Sequence, residues 1–228
     1  AVDRRAKWLV FTLSRDALLI HLRMSGDLRV EALDVPLKAH DRFVLIFEND
    51  TRMLFNDTRK FGRIWLTDDP QAALRHLGPE PLAADFTPEE FYERIHSRHR
   101  QIKPLLLDQA FLAGLGNIYT DEALYHAGIH PLRRSESLSN AETTRLLIAI
   151  RAVLQTGIQR NGASIDWVYR GGDFQNDFYV YGRTGEACKT CGQPVQRLVV
   201  GQRGTHFCPH CQPLEAEVNN LGAEGLSR

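Results

Sequence analysis

Residues 188–211 read CKTCGQPVQRLVVGQRGTHFCPHC, and this stretch holds all four cysteines of the 228-residue chain. They form two Cys-x-x-Cys pairs, Cys188 with Cys191 and Cys208 with Cys211, and sixteen residues separate the pairs. Four thiolates at this spacing are typical of a tetrahedral zinc site, and four protein ligands leave no position open for water. We therefore predict one structural Zn²⁺ per chain, with four unrelated free cysteines as the alternative.

The segment between the cysteine pairs predicts a small hairpin. VQRLVV (195–200) and THFC (205–208) favour two short strands, with GQRG as the turn between them. So small a hairpin has almost no core, and zinc would supply its folding free energy, on the order of 10 kcal/mol or more. Arg203 stands in the turn, where a rigid guanidinium suits phosphate or a base edge and a solvated surface arginine is the alternative. His206 and His210 are interpreted as bystanders rather than ligands.

Charge is uneven along the chain, although 28 Lys and Arg balance 28 Asp and Glu. Basic residues exceed acidic ones by 12 to 9 over residues 1–65 and by 4 to 1 over 183–211, whereas 66–100 has 4 against 7. Local basic patches attract polyanions, and ordinary solvated surface is the alternative reading. No apolar run approaches the ~20 residues that a membrane span needs, and no secretory signal is recognisable. We therefore expect a reducing cytoplasm, in which paired Cys-x-x-Cys motifs favour metal over disulfide.

In the rest of the chain, the predicted secondary structure changes once, from strands to helices. Five β-rich runs, KWLVFTL, ALLIHLRM, RFVLIF, RMLFND and GRIWL, fill residues 7–66 and predict an antiparallel β unit. After GPEPLAADF, capping boxes at Thr87 and Ser139 open helices, the first predicted over about 88–99. Further helical pieces are expected between them, including one over 118–127.

We therefore expect an α+β chain in four parts. A β-sandwich domain would occupy residues 1–80, a helical domain 85–182, the zinc hairpin 183–212, and a disordered polar tail 213–228. The Gly171-Gly172 pair indicates either a mobile loop or an ordinary connection.

Seven motifs, in order along the chain, closely resemble the formamidopyrimidine-DNA glycosylase / endonuclease VIII family of base-excision repair. They are RRAKWL, HLRMSGDLR, DTRKFGRIWL, HLGPEPL, LAGLGNIYTDEALYHAGIHP, VYGRTGEAC and the zinc hairpin, and together they span about residues 4–212. The resemblance implies a β-sandwich, incomplete here at its N-terminus, a helix-two-turns-helix domain and a zinc hairpin. It also implies a monomer that binds damaged double-stranded DNA in the cleft between these parts, in the bacterial cytoplasm and with the nucleoid when bound to DNA.

The resemblance assigns roles to residues that contact the DNA backbone. Lys7 would contact phosphate and assist proton transfer in β-elimination, and Arg203 would grip phosphate and take part in δ-elimination. His40, Arg98 and Asn117 match further DNA-contacting positions, and Asn117 leads into a helix whose free N–H groups suit phosphate.

A second set would replace the everted nucleotide. The resemblance implies that Met24, Arg59 and Phe61 fill the gap in the stack, which offsets a cost of a few kcal/mol. Without it, Phe61 reads as a core residue and Met24 as a gap-filler. The set favours the formamidopyrimidine branch, with 8-oxoguanine and formamidopyrimidines as substrates, and residues 166–178 would correspond to the loop that closes over the damaged base.

The implied chemistry is base excision by amine attack at the sugar C1′, then abasic-site cleavage by β,δ-elimination. The family's nucleophile is an N-terminal proline followed by a glutamate, well ahead of RRAK, whereas here Ala1-Val2-Asp3 supply neither group. We expect a sequence that lacks this segment, so that the 228 residues bind without excising. A non-catalytic, zinc-dependent protein that binds damaged DNA is the alternative, and a closed four-cysteine site disfavours a zinc hydrolase.

Overall fold

The structure is a computed structural model, which describes residues 1–164 and 171–214. Two antiparallel sheets occupy the N-terminal part of the chain. One contains β1 (Val2–Arg5), β2 (Trp8–Thr12), β3 (Ala17–His21) and β7 (Arg63–Thr67) in the order β1-β2-β3-β7, and the other contains β4 (Gly26–Ala32), β5 (Asp41–Ile46) and β6 (Thr51–Asp57) in the order β4-β6-β5. Leu18 and Ile20 of the first sheet pack with Met53 and Phe55 of the second.

Alternation of more buried and exposed residues is clearest in β5. In β5, Phe43 and Leu45 join the core between the sheets while Val44 and Ile46 are exposed, as a half-buried strand requires. The strands β1 and β4 were not among the predicted runs. The sequence VDRR of β1 has one apolar residue, and its strand exists because it pairs with β2 from Val2–Phe11 to Arg5–Trp8. Pairing therefore overrides local propensity there.

Five α-helices follow the sheets in the described part of the chain. They are α1 (Pro70–Leu74), α2 (Pro88–His96), α3 (Ile102–Leu107), α4 (Asn117–Ala127) and α5 (Asn140–Gln159), with 3₁₀ turns at Ser135–Ser137 and Phe174–Asp177. The capping box predicted at Ser139 is present in full with Glu142, and at Thr87 the N-cap hydrogen bond from the Glu90 N–H is present. The mixed α+β class is confirmed, although α2 ends three residues before the predicted position.

A two-stranded hairpin, β8 (Gln196–Val200) and β9 (Arg203–Phe207), ends the described part. Gly201 and Gln202 both have positive φ, 55° and 61°, so the turn has the left-handed form that matches strand twist. Residues 166–170 of the predicted closing loop and 215–228 of the predicted tail lie outside the described residues. Across 1–164 and 171–214, no helix has the length and apolar character needed to cross a membrane.

Candidate DNA-binding and zinc sites

The turn between β1 and β2 is anchored to the helical part of the chain by one carboxylate. Glu80 accepts the backbone N–H of Ala6 at 2.7 Å and the guanidinium groups of Arg4 and Arg5 at 2.6 and 3.0 Å. Ala6 has φ of 52°, so the chain turns sharply there. Lys7, the next residue, is thereby directed across the boundary between sheets and helices.

Lys7 reaches the loop that begins α4. Its Nζ donates to Leu115 O at 2.7 Å. Withdrawal of this ammonium from water, followed by repulsion from Arg203 and Arg23, lowers the pKa of Lys7 to about 8. The amine is therefore mostly charged at neutral pH, although its pKa lies only about one unit above pH 7.

The tip of the hairpin meets the same loop. Asn117, the first residue of α4, donates through Nδ2 to Gly204 O at 3.0 Å, and Lys103 of α3 donates to the same oxygen at 3.0 Å. Gly204 follows Arg203, whose exposed guanidinium repels Lys7. The structure thus brings together Lys7, Asn117 and Arg203 from three separate elements, and we call these three the phosphate cluster.

A buried ion pair holds the hairpin against α4. Lys103 Nζ and Asp121 Oδ1 are 2.6 Å apart and both side chains are 0% exposed. Lys103 also donates to Thr205 Oγ1 at 2.7 Å, and Asp121 accepts the His206 N–H at 2.9 Å. Burial lowers the pKa of Lys103, and the attraction of Asp121 opposes that shift. Sequence reasoning missed this pair, whose only local signal was a lysine among the apolar residues of IKPLLL.

His21 is a second residue that sequence reasoning missed. It ends β3 with its ring edge-on to Trp8 at 5.0 Å, and its Nδ1 accepts the Arg23 N–H at 3.0 Å. Burial, and then the charges of Arg23 and Lys7, lower the pKa of His21 to about 4. The ring is therefore neutral at pH 7, and because Nδ1 accepts, its proton is on Nε2.

Two exposed apolar side chains lie on loops after β3 and β6. Met24 is 58% exposed and Phe61 is 55% exposed, so the residue-based interpretation of Phe61 as a core residue was wrong. Arg59 is also exposed. Protruding apolar groups beside an arginine are suited to insertion into a stack of bases.

Asp57 joins these two loops. Asp57 is only 1% exposed. Its carboxylate accepts hydrogen bonds from the hydroxyl of Ser25, which precedes Met24 in the chain, and from the N–H groups of Arg59 and Gly62 at 3.2 and 2.7 Å. Burial acts to raise the pKa of Asp57, but these hydrogen bonds hold it below its ordinary value. The loops therefore form one rigid unit.

The other two candidates, His40 and Arg98, lie in different surroundings. His40 is exposed with φ of 71°, and its carbonyl accepts the Asp57 N–H at 3.0 Å, which places it beside the same unit. Arg98 is exposed just beyond α2; its N–H donates to Ile95 O and its carbonyl accepts the Ser135 hydroxyl. Within the described ranges, no hydrogen bond links Arg98 to another candidate.

The four cysteines meet at the base of the hairpin. Their Sγ atoms all lie within 4.8 Å of one another, with Cys191 and Cys208 at 3.4 Å and Cys188 and Cys211 at 3.9 Å. Four soft sulfur donors converging in this way suit a zinc ion. His206 instead directs Nδ1 towards Asp121 at 3.4 Å.

Three family models match the chain. The formamidopyrimidine-DNA glycosylase N-terminal domain matches residues 1–64, the formamidopyrimidine-DNA glycosylase H2TH domain matches 77–168, and the zinc finger found in FPG and IleRS matches 185–214. The last match and the cysteine cluster together support a zinc ion at the hairpin.

Curated relatives and solved structures point to the same family as the family models. The formamidopyrimidine-DNA glycosylases of Herpetosiphon aurantiacus and Chloroflexus aurantiacus are 45% and 48% identical to the chain over 218 and 219 residues, which covers 92% and 93% of the chain and 80% and 79% of the relatives. The Lactococcus lactis Fpg, in a complex with abasic-site DNA, superposes with a TM-score of 0.87 at 39% identity, over 93% of this chain and 81% of that one. A complex of MutM with DNA containing carbocyclic 8-oxo-G gives the same values.

Proposed function

The chain belongs to the formamidopyrimidine-DNA glycosylase family, and on this premise we propose that it is a base-excision repair DNA glycosylase with abasic-site lyase activity. Its substrates would be oxidised purines, 8-oxoguanine and formamidopyrimidines, in double-stranded DNA. The observation that carries the proposal is the phosphate cluster, in which Lys7, Asn117 and Arg203 converge at the boundary of sheets, helices and hairpin. The non-catalytic alternative is not favoured, because the relatives are named as glycosylases.

The backbone of the DNA would be held by the phosphate cluster. The charges of Lys7 and Arg203 and the free N–H groups at the start of α4 attract a phosphate from different directions. His21, neutral and with its proton on Nε2, would add a donor that does not titrate near pH 7. These contacts fix the position of the duplex without reading its sequence.

The damaged nucleotide would be replaced in the stack by Met24, Arg59 and Phe61. Eversion leaves an unstacked gap, and apolar side chains that are already exposed enter it without first leaving a core. Arg59 would supply donors to the orphaned base, and His40 and Arg98 would add further DNA contacts. Asp57 holds the loops of Met24 and Phe61 together, so both side chains would enter as a unit.

Proton transfer during elimination would use Lys7. An amine with a pKa of about 8 exists in both protonation states near neutral pH, which general acid–base chemistry requires. The guanidinium of Arg203 would stabilise the phosphate that departs in δ-elimination. The Schiff base itself would use the terminal proline that the resemblance implies.

We propose further that one zinc ion, held by Cys188, Cys191, Cys208 and Cys211, has a structural role. Four thiolate ligands leave no site for substrate, so the metal would stabilise the hairpin that presents Arg203. We propose that residues 1–80, 85–182 and 183–212 are the three domains that carry these functions. A monomer in the bacterial cytoplasm, with the nucleoid when bound to DNA, fits relatives that are bacterial enzymes.

The proposal is tested by binding to a duplex that contains an abasic-site analogue, measured over a range of salt concentrations. The chain is expected to prefer this duplex to the undamaged one. Arg203→Ala should weaken binding to both and lower the slope of log K against log salt by about one, because one phosphate contact is lost. Arg59→Ala should weaken mainly the damaged complex.

The matched control is Arg75→Ala, which removes an exposed arginine after α1, outside the phosphate cluster. It should leave both the preference and the salt slope unchanged. Equal affinity for damaged and undamaged duplexes, or affinity that is insensitive to salt, would refute the proposal.

The pKa of Lys7 predicts a pH dependence of binding. A DNA phosphate favours the ammonium form, so the complex retains a proton that free Lys7 loses above pH 8. The affinity for DNA should therefore be highest well below pH 8. It should be about tenfold lower at pH 9 if the pKa of Lys7 in the complex returns to ~10.4. Fluorescence anisotropy at constant ionic strength measures this. Lys7→Met should bind more weakly at pH 7 and lose the dependence; a wild-type affinity that is constant from pH 7 to 9 would contradict it.

A further inference from the structure

The zinc hairpin is joined to α4 by a tyrosine hydroxyl as well as by its tip. Tyr125, on the last turns of α4, is 6% exposed, and its ring packs against Tyr179 at 5.3 Å. Its Oη lies 3.2 Å from Cys188 Sγ and 2.6 Å from Thr190 Oγ1. One phenol therefore contacts both a cysteine of the cluster and one of the two residues between the first cysteine pair.

A bound metal would set the direction of the hydrogen bond between Tyr125 and Cys188. A hydroxyl has a single proton to donate, and a cysteine that ligates zinc is a thiolate without one. When both contacts are hydrogen bonds, Tyr125 donates to Cys188 Sγ, and its oxygen accepts the hydroxyl proton of Thr190. The backbone N–H of Thr190 adds a second donor to the same sulfur at 3.4 Å.

We propose that Tyr125 is a positioning residue of the zinc site, which donates a hydrogen bond to the Cys188 thiolate and so makes α4 part of the metal's surroundings. The inference rests on the zinc of the proposed function. A donor to a ligating sulfur stabilises its negative charge and fixes its direction, as outer groups do in other metal sites. The bond is lost when the thiolate leaves its place, so it slows release of the metal.

The same bond adds a third attachment of α4 to the hairpin, besides those through Asn117 and Asp121. At its first residue, Asn117 donates to Gly204 O beside Arg203, and near its end Tyr125 donates to Cys188. The helix therefore bridges the cysteine cluster and the tip, and the metal end of the hairpin is coupled to the phosphate cluster through α4.

The test compares Tyr125→Phe with Tyr179→Phe in the full chain. Both changes remove one hydroxyl from the same aromatic cluster, but in the described part of the chain the Tyr179 hydroxyl has no cysteine partner. With cobalt in place of zinc, Tyr125→Phe should move the sulfur-to-cobalt charge-transfer band to lower energy, because a thiolate that loses a donor gives up electrons more readily. Transfer of zinc to a chelator should be about fivefold faster, the factor expected for one hydrogen bond. Tyr179→Phe should change neither.

Thr190→Val provides a second variant, which keeps the phenol but removes the group that donates to it. It should shift the band in the same direction by less, whereas Thr190→Ser should restore the wild-type spectrum. If wild-type protein takes up cobalt with a thiolate band but Tyr125→Phe matches it in band and release rate, this inference fails and the zinc assignment stands. If wild-type protein binds neither metal, the zinc assignment fails as well.

Discussion

Replacing Cys191 and Cys208 together by serine is expected to abolish both zinc binding and DNA binding. The two sulfurs are 3.4 Å apart and come one from each cysteine pair, so the double change leaves only two thiolates. A structural zinc site contributes roughly 10–16 kcal/mol of apparent binding free energy, which is folding free energy for an element with so little core. Without it, the hairpin should not hold Arg203 and Gly204 against Asn117.

Metal analysis after gel filtration and binding to abasic-site duplex measure the two effects. The control is His210→Ala, which changes the histidine between the second cysteine pair and should retain one zinc per chain. Wild-type protein treated with a chelator should reproduce the loss, and added zinc should reverse it. Zinc retained by the double-serine variant would show that the four cysteines do not form the site.

Lys103→Met is expected to lower the free energy of unfolding by about 3–5 kcal/mol. The change leaves Asp121 as a buried carboxylate whose ion-pair partner is gone, and this penalty exceeds that of most single substitutions. It also removes the donors to Gly204 and Thr205, so the hairpin tip is released from α3. Denaturant unfolding at pH 7 measures the loss.

Lys38→Met is the matched control, since it removes the charge of an exposed lysine and should change stability by no more than about 0.5 kcal/mol. Adding Asp121→Asn to Lys103→Met should recover part of the loss, because the remaining buried group is then neutral. A loss in Lys103→Met no larger than that in Lys38→Met would contradict a stabilising role for the pair.

Features written in a few neighbouring residues could be predicted from the sequence. The cysteine spacing indicated the metal site, and Thr87 and Ser139 marked helix starts because an N-cap acts within one turn. The strand β1 could not be predicted, because its conformation depends on hydrogen bonds to β2. The same holds for β4, which is stabilised by β6 along its whole length.

Site residues divide in the same way. Motif resemblance predicted Lys7, Asn117 and Arg203 as site residues. The hydrogen bonds that bring their segments together, from Lys7 to Leu115 and from Asn117 to Gly204, cross more than 80 positions of the chain. The burial of Lys103 and the depressed pKa of His21 arise only when distant elements close around them. No local pattern records such an environment, so these residues become visible only in the folded chain.

Under the proposed function, the chain provides the lesion-binding and elimination machinery of a DNA glycosylase that acts through a Schiff base. Borohydride trapping on a duplex containing 8-oxoguanine tests it most directly. The chain would be compared with the same chain preceded by the proline-headed segment that the resemblance implies. Among the described residues, Lys7 is the candidate amine beside Arg203, but it is held to Leu115 O, so residues 1–228 alone are expected to bind without trapping.

With the proline-headed segment in place, a covalent protein–DNA adduct should form, and Lys7→Met and Arg203→Ala should reduce strand cleavage more than they reduce trapping. The yield of that adduct should be well above that of an otherwise identical chain with alanine in place of the terminal proline. Tight binding of the extended chain to the damaged duplex with no adduct would contradict the account.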